Sequence, residues 1–235
     1  MEIIPVIDVA GGQVVAAKRG DRANYQPLVT PLAASSDPAT VAKGLAHLYP
    51  FRRIYVADLD GITGRGRNVH LVPSLSRALP RTEVWIDAGT ASRGAARALL
   101  AAPVTTLVIG SETLETVAVL KDIMAEAPTR TVLSLDFRGD EFLGPQIVLE
   151  DASLWPQNII VMTMGRIGSG EGPDVARIRD IAARAGTRHV YAAGGIRDRA
   201  DLDAARAAGA TGALIASALH GQKITARDLK EIAGQ

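Results

Sequence analysis

Eight short runs rich in β-branched and aliphatic residues, each followed by enough chain for a helix, constrain this sequence more than any other feature. The runs cover residues 3–9, 53–58, 83–87, 106–109, 131–136, 158–163, 189–193 and 212–216. Between them, residues 38–48, 69–78, 92–101, 114–125, 175–185 and 200–208 space their apolar positions as amphipathic helices do. Strands that are apolar throughout belong in a sheet buried on both faces, and helical crossovers make such a sheet parallel. The pattern predicts an α/β protein, a closed (β/α)8 TIM barrel, with an open doubly wound sheet as the alternative. Helix starts carry fitting chemistry. Ser36-Asp37-Pro38 offers a cap followed by a first-turn proline, and Asp198 precedes a helical run.

The second half of the chain repeats the first. Ile54-Tyr55-Val56-Ala57-Asp58 aligns with Ile159-Ile160-Val161-Met162-Thr163, and Val84-Trp85-Ile86-Asp87-Ala88-Gly89 with Val190-Tyr191-Ala192-Ala193-Gly194-Gly195. Leu107-Val108-Ile109-Gly110-Ser111 aligns with Ala213-Leu214-Ile215-Ala216-Ser217. An offset of about 105 positions relates all three pairs, as a duplicated and fused half-barrel would require. The first and fifth runs also match, each ending in aspartate at Asp8 and Asp136; a longer segment from Ala10 to about Ser35 enlarges their offset. On this reading residues 1–235 form a single barrel domain of two duplicated halves. The long first loop falls where a barrel builds its active site, and it is placed to close over a ligand.

Composition narrows the function. Lys and Arg total 26 against 25 Asp and Glu, without a block of like charges. That balance argues against a nucleic-acid groove or a polybasic membrane surface. The chain has no cysteine, so disulfides, thiolate metal sites and a Cys nucleophile are excluded. His47, His70, His189 and His220 lack metal-ligand spacing. No apolar run reaches the roughly 18 residues of a membrane span. Met1-Glu2-Ile3-Ile4-Pro5 lacks the basic-then-apolar order of a signal peptide. The expectation is a cytoplasmic enzyme or binding domain.

The strongest local signal is Tyr191-Ala192-Ala193-Gly194-Gly195-Ile196-Arg197-Asp198. A strand ending in Gly-Gly before a helix lets backbone N–H groups approach an anion, and the next strand end, Ala216-Ser217, adds donors beside it. Gly194, Gly195, Ile196, Ala216 and Ser217 are therefore the expected phosphate site; the plainer alternative is a tight turn. In the first half Gly89, Gly110 and Ser111 occupy the equivalent places, but Asp87 stands where the second half has Ala193. A carboxylate there repels phosphate, so Asp87 is read as contacting a hydroxyl or amine, and the two readings stay open. Asp8 and Asp136 close symmetric strands at the barrel mouth, where a carboxylate pair can serve as general acid and base. A helix cap or loop hydrogen bond is the alternative for each. Asp58, Lys18, Arg19 and Thr163 complete the expected lining.

Ile4-Pro5-Val6-Ile7-Asp8-Val9, Gly11-Gly12-Gln13-Val14-Val15, Val56-Ala57-Asp58-Leu59-Asp60-Gly61, Leu133-Ser134-Leu135-Asp136, Ala193-Gly194-Gly195-Ile196 and the tail from Ala218 to Ile224 carry a resemblance that runs in order through the whole chain. On these residues the chain resembles the HisA/HisF family of histidine biosynthesis. The resemblance implies a twofold-repeated (β/α)8 barrel. For the isomerase branch it also implies an Amadori-type aldose–ketose rearrangement of a ribonucleotide with two phosphates, without metal or organic cofactor. It makes Asp8 and Asp136 the catalytic carboxylates. The cyclase-like branch would need an ammonia-supplying glutaminase, and no partner surface for one stands out.

Three departures qualify the resemblance. The third strand ends in Asp87-Ala88-Gly89-Thr90-Ala91 instead of a glycine run before Ile-Arg. Ile167, in Met164-Gly165-Arg166-Ile167-Gly168, falls near the family's sixth-strand aspartate, and Ala16 replaces a basic first-loop residue. A strand-three Asp-Ala-Gly is similar to a side branch of HisA-like proteins in methanogens and methylotrophs, linked by analogy to the biosynthesis of C1-carrier cofactors. The expected function is an isomerase-like enzyme on a phosphorylated small molecule, diverged from the histidine-pathway substrate. A genuine ribonucleotide isomerase and a non-catalytic phosphometabolite-binding barrel are the alternatives.

Overall fold

The computed structural model describes residues 1–18, 20–102 and 105–234. Eight strands form the sheet that positions the site: β1 (Glu2–Ala10), β2 (Arg53–Asp58), β3 (Glu83–Asp87), β4 (Thr105–Gly110), β5 (Thr131–Arg138), β6 (Asn158–Thr163), β7 (His189–Ala193) and β8 (Gly212–Ile215). Each pairs with the next in parallel, and β8 returns to β1 in a register running from Glu2↔Gly212 to Pro5↔Ile215. That closing pair makes the sheet a barrel and excludes the open alternative.

Helices α1 (Pro38–Leu48), α2 (Leu71–Ala78), α3 (Arg93–Leu100), α4 (Val117–Glu126), α5 (Gln146–Glu150), α6 (Val175–Ala185) and α7 (Arg199–Ala207) carry the chain between strands, and α8 (Ala226–Ala233) follows β8. The expected caps form: Asp37 accepts from the Thr40 N–H at 2.8 Å, and Asp198 from the Asp201 N–H at 3.1 Å. Periodicity does not reveal α5 or α8. The first has 5 residues, too few for a helical repeat to register, and the second is set by a Thr225–Asp228 capping box. No helix is long and apolar enough to cross a membrane among the described residues.

Alternation along each strand separates two cores. Ile54, Val56, Val84, Ile86, Leu133 and Leu135 face outward and pack beneath the helices. Tyr55, Trp85, Val108, Val132, Ile160, Tyr191 and Leu214 fill the barrel. Trp85 and Tyr191, at matching positions of the two halves, meet edge to face with ring centroids 5.0 Å apart. These interior side chains pack the barrel's lower part, so open space is left at the carboxyl ends of the strands. The first loop folds back over that end. Its Gln13–Ala16 strand pairs antiparallel with β1, and Gln26–Pro27 pairs with that strand in turn.

Candidate active site

The two-residue period that fills the barrel also builds the site. On β1 the inward row runs Ile4, Val6, Asp8; on β3 it runs Trp85, Asp87; on β5 it runs Val132, Ser134, Asp136. Each row is apolar in the interior and ends in a carboxylate at the mouth. Asp8 and Asp87 share a level, because both pair in register with Ala57 of β2. The three aspartates line one cleft that encloses about 840 Å³ including its open mouth.

At the first-half end the carboxylates are held tightly. Asp136 Oδ1 accepts from the Ser134 hydroxyl at 2.6 Å, and its Oδ2 from the Glu112 N–H at 3.0 Å. The Asp136 N–H donates to Ser111 Oγ at 2.9 Å, fixing the strand end from its other side. Asp87 accepts from the Gly89 N–H at 3.1 Å and from the Tyr55 hydroxyl at 3.3 Å. A Cβ on Gly110 would stand 3.2 Å from Oδ2 of both Asp87 and Asp136, so glycine keeps the space between them open. From the first loop, Arg22 reaches across to Glu112 at 2.5 Å. Gly20 of the same loop approaches Met164 beyond β6, so the loop bridges the mouth.

Burial controls the protonation of this group. Asp8 is pushed up to about 7 by loss of solvent, against the pull of Arg22. Asp87 is pushed up to about 6, chiefly by burial. Asp136 is pushed up to about 8; burial dominates, the Ser134 hydrogen bond opposes it, and the charge of Asp87 adds to it. Tyr55 is raised well above its ordinary range by burial and by the charges of Asp87, Asp136 and Asp8, so its hydroxyl stays a donor.

The second-half end is built from backbone. Gly194 and Gly195 adopt φ of +96° and +88°. A Cβ on Gly194 would stand 2.5 Å from the Thr163 carbonyl oxygen, and one on Gly195 2.1 Å from that of Gly172, so glycine is required at both. Together with Ile196, Ala216 and Ser217 they form one lip of the cleft. Ser217 opens the short helix Ser217–His220, whose first N–H groups have no intrahelical acceptor. An anion at this lip would meet backbone donors at a helix start and no carboxylate.

A sequence model of the family described as "Histidine biosynthesis protein" matches residues 2–225. The chain belongs to that family. It is 28% identical, over 99% of its length and 97% of the relative's, to an uncharacterized protein of Methanocaldococcus jannaschii. It is 28% identical, over 93% of each chain, to a phosphoribosyl imidazole-4-carboxamide isomerase of Deinococcus radiodurans, whose full name carries two phosphoribosyl groups. A phosphoribosyl isomerase A of Streptomyces griseus is 26% identical over 99% of this chain and 98% of its own.

Within this family's barrel, several expected lining residues stand elsewhere. Asp58 lies on the outward parity of β2, and its carboxylate accepts from the N–H groups of Gly61 and Asn68 at 3.2 and 3.1 Å. It orders the following loop instead of facing the cleft. Thr163 lies one residue beyond the inward Met162 and is not part of the lining. Lys18 is exposed outside the lining, and Arg19 lies outside the described residues. Gly89 sits with φ +60° against the Ile62 Cα, which a Cβ would approach to 2.6 Å; it serves close packing. Ser111 and the neighbouring N–H are engaged with Asp136, so the first-half cradle around Gly110 and Ser111 is already filled by a carboxylate. Four polar side chains of the lining escaped the sequence reading, Arg22, Tyr25, Tyr55 and Glu112, along with most of its apolar wall. Tyr55 was legible, because its parity on β2 is that of the inward row. Arg22 depends on a loop conformation that no local pattern announces.

Proposed function

We propose that this barrel is an acid/base enzyme of the isomerase type, acting on a phosphorylated small molecule held between the two ends of the cleft. One observation carries the reading: Asp8 and Asp136 line the same cleft as the Gly194–Gly195 and Ser217 lip. Phosphate at that lip would anchor the substrate, and the carboxylates would move protons on the carbon skeleton beside it. Asp136, at about 8, holds its proton at neutral pH and is the general acid. Asp8, at about 7, is ionised in a useful fraction and is the general base. In an aldose–ketose rearrangement Asp136 would protonate the ring oxygen as its bond to C1 breaks, and Asp8 would take the proton from C2, whose hydroxyl loses its own proton as it becomes the ketone. The proton returns one carbon away, so no external oxidant or cofactor enters the balance.

The narrower reading, the two-phosphate ribonucleotide of the isomerase relatives, fits less well. Ile167 lines the cleft and cannot transfer a proton, and the first-half end presents carboxylates to any second phosphate. A purely binding barrel is disfavoured by the cost of burying three aspartates that form no ion pair with the described residues. Incubation with a panel of aldose and aminoaldose monophosphates in deuterated water tests the proposal. Exchange of deuterium into the carbon next to the carbonyl, read by NMR, is expected for at least one member; no exchange with any of them would overturn it. Introduced into a strain lacking the histidine-pathway isomerase, the gene should not restore growth; growth would restore the narrower reading.

A further inference from the structure

The end of the cleft facing the phosphate lip has the opposite chemistry. We infer that it binds a protonated amine, so that the substrate, on the phosphate reading above, is a phosphomonoester with a cationic nitrogen at its far end and not a bis-phosphate. Two features close this end to phosphate. The Glu112 N–H, which corresponds by the repeat to the donor after Ser217, is spent on Asp136 Oδ2 at 3.0 Å. The Gly89 N–H is likewise spent, on Asp87 Oδ1 at 3.1 Å. Two further features open it to a cation. Oδ2 of Asp87 and Oδ2 of Asp136 both lie 3.2 Å from the point where a Gly110 Cβ would be, so they are at most twice that distance apart. With Asp87 ionised and Asp136 holding its proton, the pair carries one negative charge at neutral pH. An ammonium group between them makes a charge-assisted hydrogen bond of about 2.8 Å to Asp87 and a second bond to the neutral carboxyl of Asp136.

Among the described residues no Lys or Arg forms an ion pair with Asp87 or Asp136, and Arg22 acts on Asp87 only at longer range. Arg22 is committed to Glu112 at 2.5 Å, and the Tyr55 hydroxyl offers Asp87 a neutral donor. An organic ammonium ion is favoured over a metal, because no group of three His, Asp or Glu side chains among the described residues converges closely enough to hold one. Leu59 and Ile62 wall the same end, which suits the methylene groups beside an amine and strengthens its pairing by excluding water.

Titration calorimetry of the intact chain tests this with inorganic phosphate, ω-aminoalkyl phosphates of graded length, matching ω-hydroxyalkyl phosphates, alkane bisphosphates and simple alkylamines. At the best chain length the aminoalkyl phosphate is expected to bind about tenfold or more tightly than its hydroxyl partner and the bisphosphate. Equal or tighter binding of either comparison compound would overturn the inference. Alkylamines binding while inorganic phosphate does not would remove the phosphate reading and leave the amine pole standing; failure of both amines and aminoalkyl phosphates would remove the pole. Displacement of the amine by magnesium or calcium would replace the organic cation with a metal and so refute it. In Asp87→Asn, and separately in Glu112→Gln, the preference for amine over bisphosphate should shrink while inorganic phosphate binds as before.

Discussion

The two ends of the cleft stand on the same strand–turn pattern, Val84 to Gly89 and Val190 to Gly195, yet one substitution reverses what each can hold. In the second half the position before the glycines is Ala193, and both glycines line the cleft with no carboxylate among the neighbouring lip residues. In the first half that position is Asp87, and its carboxylate takes the Gly89 N–H for itself at 3.1 Å. Asp136 does the same to the Glu112 N–H. A backbone donor that has a carboxylate within the protein is no longer available to an external anion, so the repeat of fold does not extend to a repeat of chemistry. The cleft end at Gly110 and Ser111 is thus lined by carboxylates, and the end at Gly194 and Gly195 by glycine backbone beside Ile167.

The largest effects should come from the shared chemistry. Asp8→Asn and Asp136→Asn are each expected to lower turnover by about 10²–10⁴-fold while phosphate still binds. Steady-state kinetics paired with calorimetry on each variant checks this, and normal turnover in either one removes that residue from the mechanism. The contrast between the ends is probed next by two glycine substitutions. Gly195→Ala forces a side chain to within 2.1 Å of the Gly172 oxygen at φ +88°. It should cost about 1–3 kcal/mol of stability and most of the phosphate affinity. Gly89→Ala should cost stability in the same range through Ile62 and leave phosphate affinity intact. Equal loss of phosphate binding in both would mean that the ends are alike after all.

The barrel was legible because strand runs, helix caps and the repeat all point to one architecture. The site was legible where it follows strand parity: Asp8, Asp87 and Asp136 continue inward rows that Ile4, Trp85 and Val132 begin. Applying the same parity strictly would have set aside Asp58, which shares the outward row of Ile54 and Val56. Gly110 and Ser111 misled for a different reason. A Gly-Ser strand end can cradle an anion, but whether its donors are free depends on a side chain from the neighbouring strand, and only the folded register brings Asp136 there. Arg22 was illegible because the first loop's path is set by its pairing with β1 and not by local propensity.

Asp87 offers a finer test of the carboxylate end. Its folded-state value of about 6 and that of Asp136, about 8, both lie above the ordinary carboxylate value of 3.8. Between those limits the folded state binds more protons than the unfolded chain, so stability should fall as pH rises from about 4 to about 8. Asp87→Asn removes one such group and should stabilise the fold at neutral pH by about 1 kcal/mol, visible in urea denaturation followed across pH. It also removes a negative charge that raises Asp136. The alkaline limb of the activity profile, where the general acid is lost, should therefore move to lower pH; movement upward would contradict the acid assignment.

Arg22→Gln should give the smallest and most directional change. Arg22 lowers Asp8 against the stronger effect of burial, so losing its charge lets the Asp8 value rise. A base with a raised value ionises later, and the acid limb of the profile should move up by about one pH unit or less. The substitution also frees Glu112 from its 2.5 Å partner and adds an unpaired carboxylate beside Asp136. Asp136 then holds its proton to higher pH, and the alkaline limb should move upward as well. Both limbs moving in one direction separates this variant from Asp87→Asn, which moves the alkaline limb down. A profile that merely loses height would make Arg22 a loop anchor with no electrostatic hold on the site.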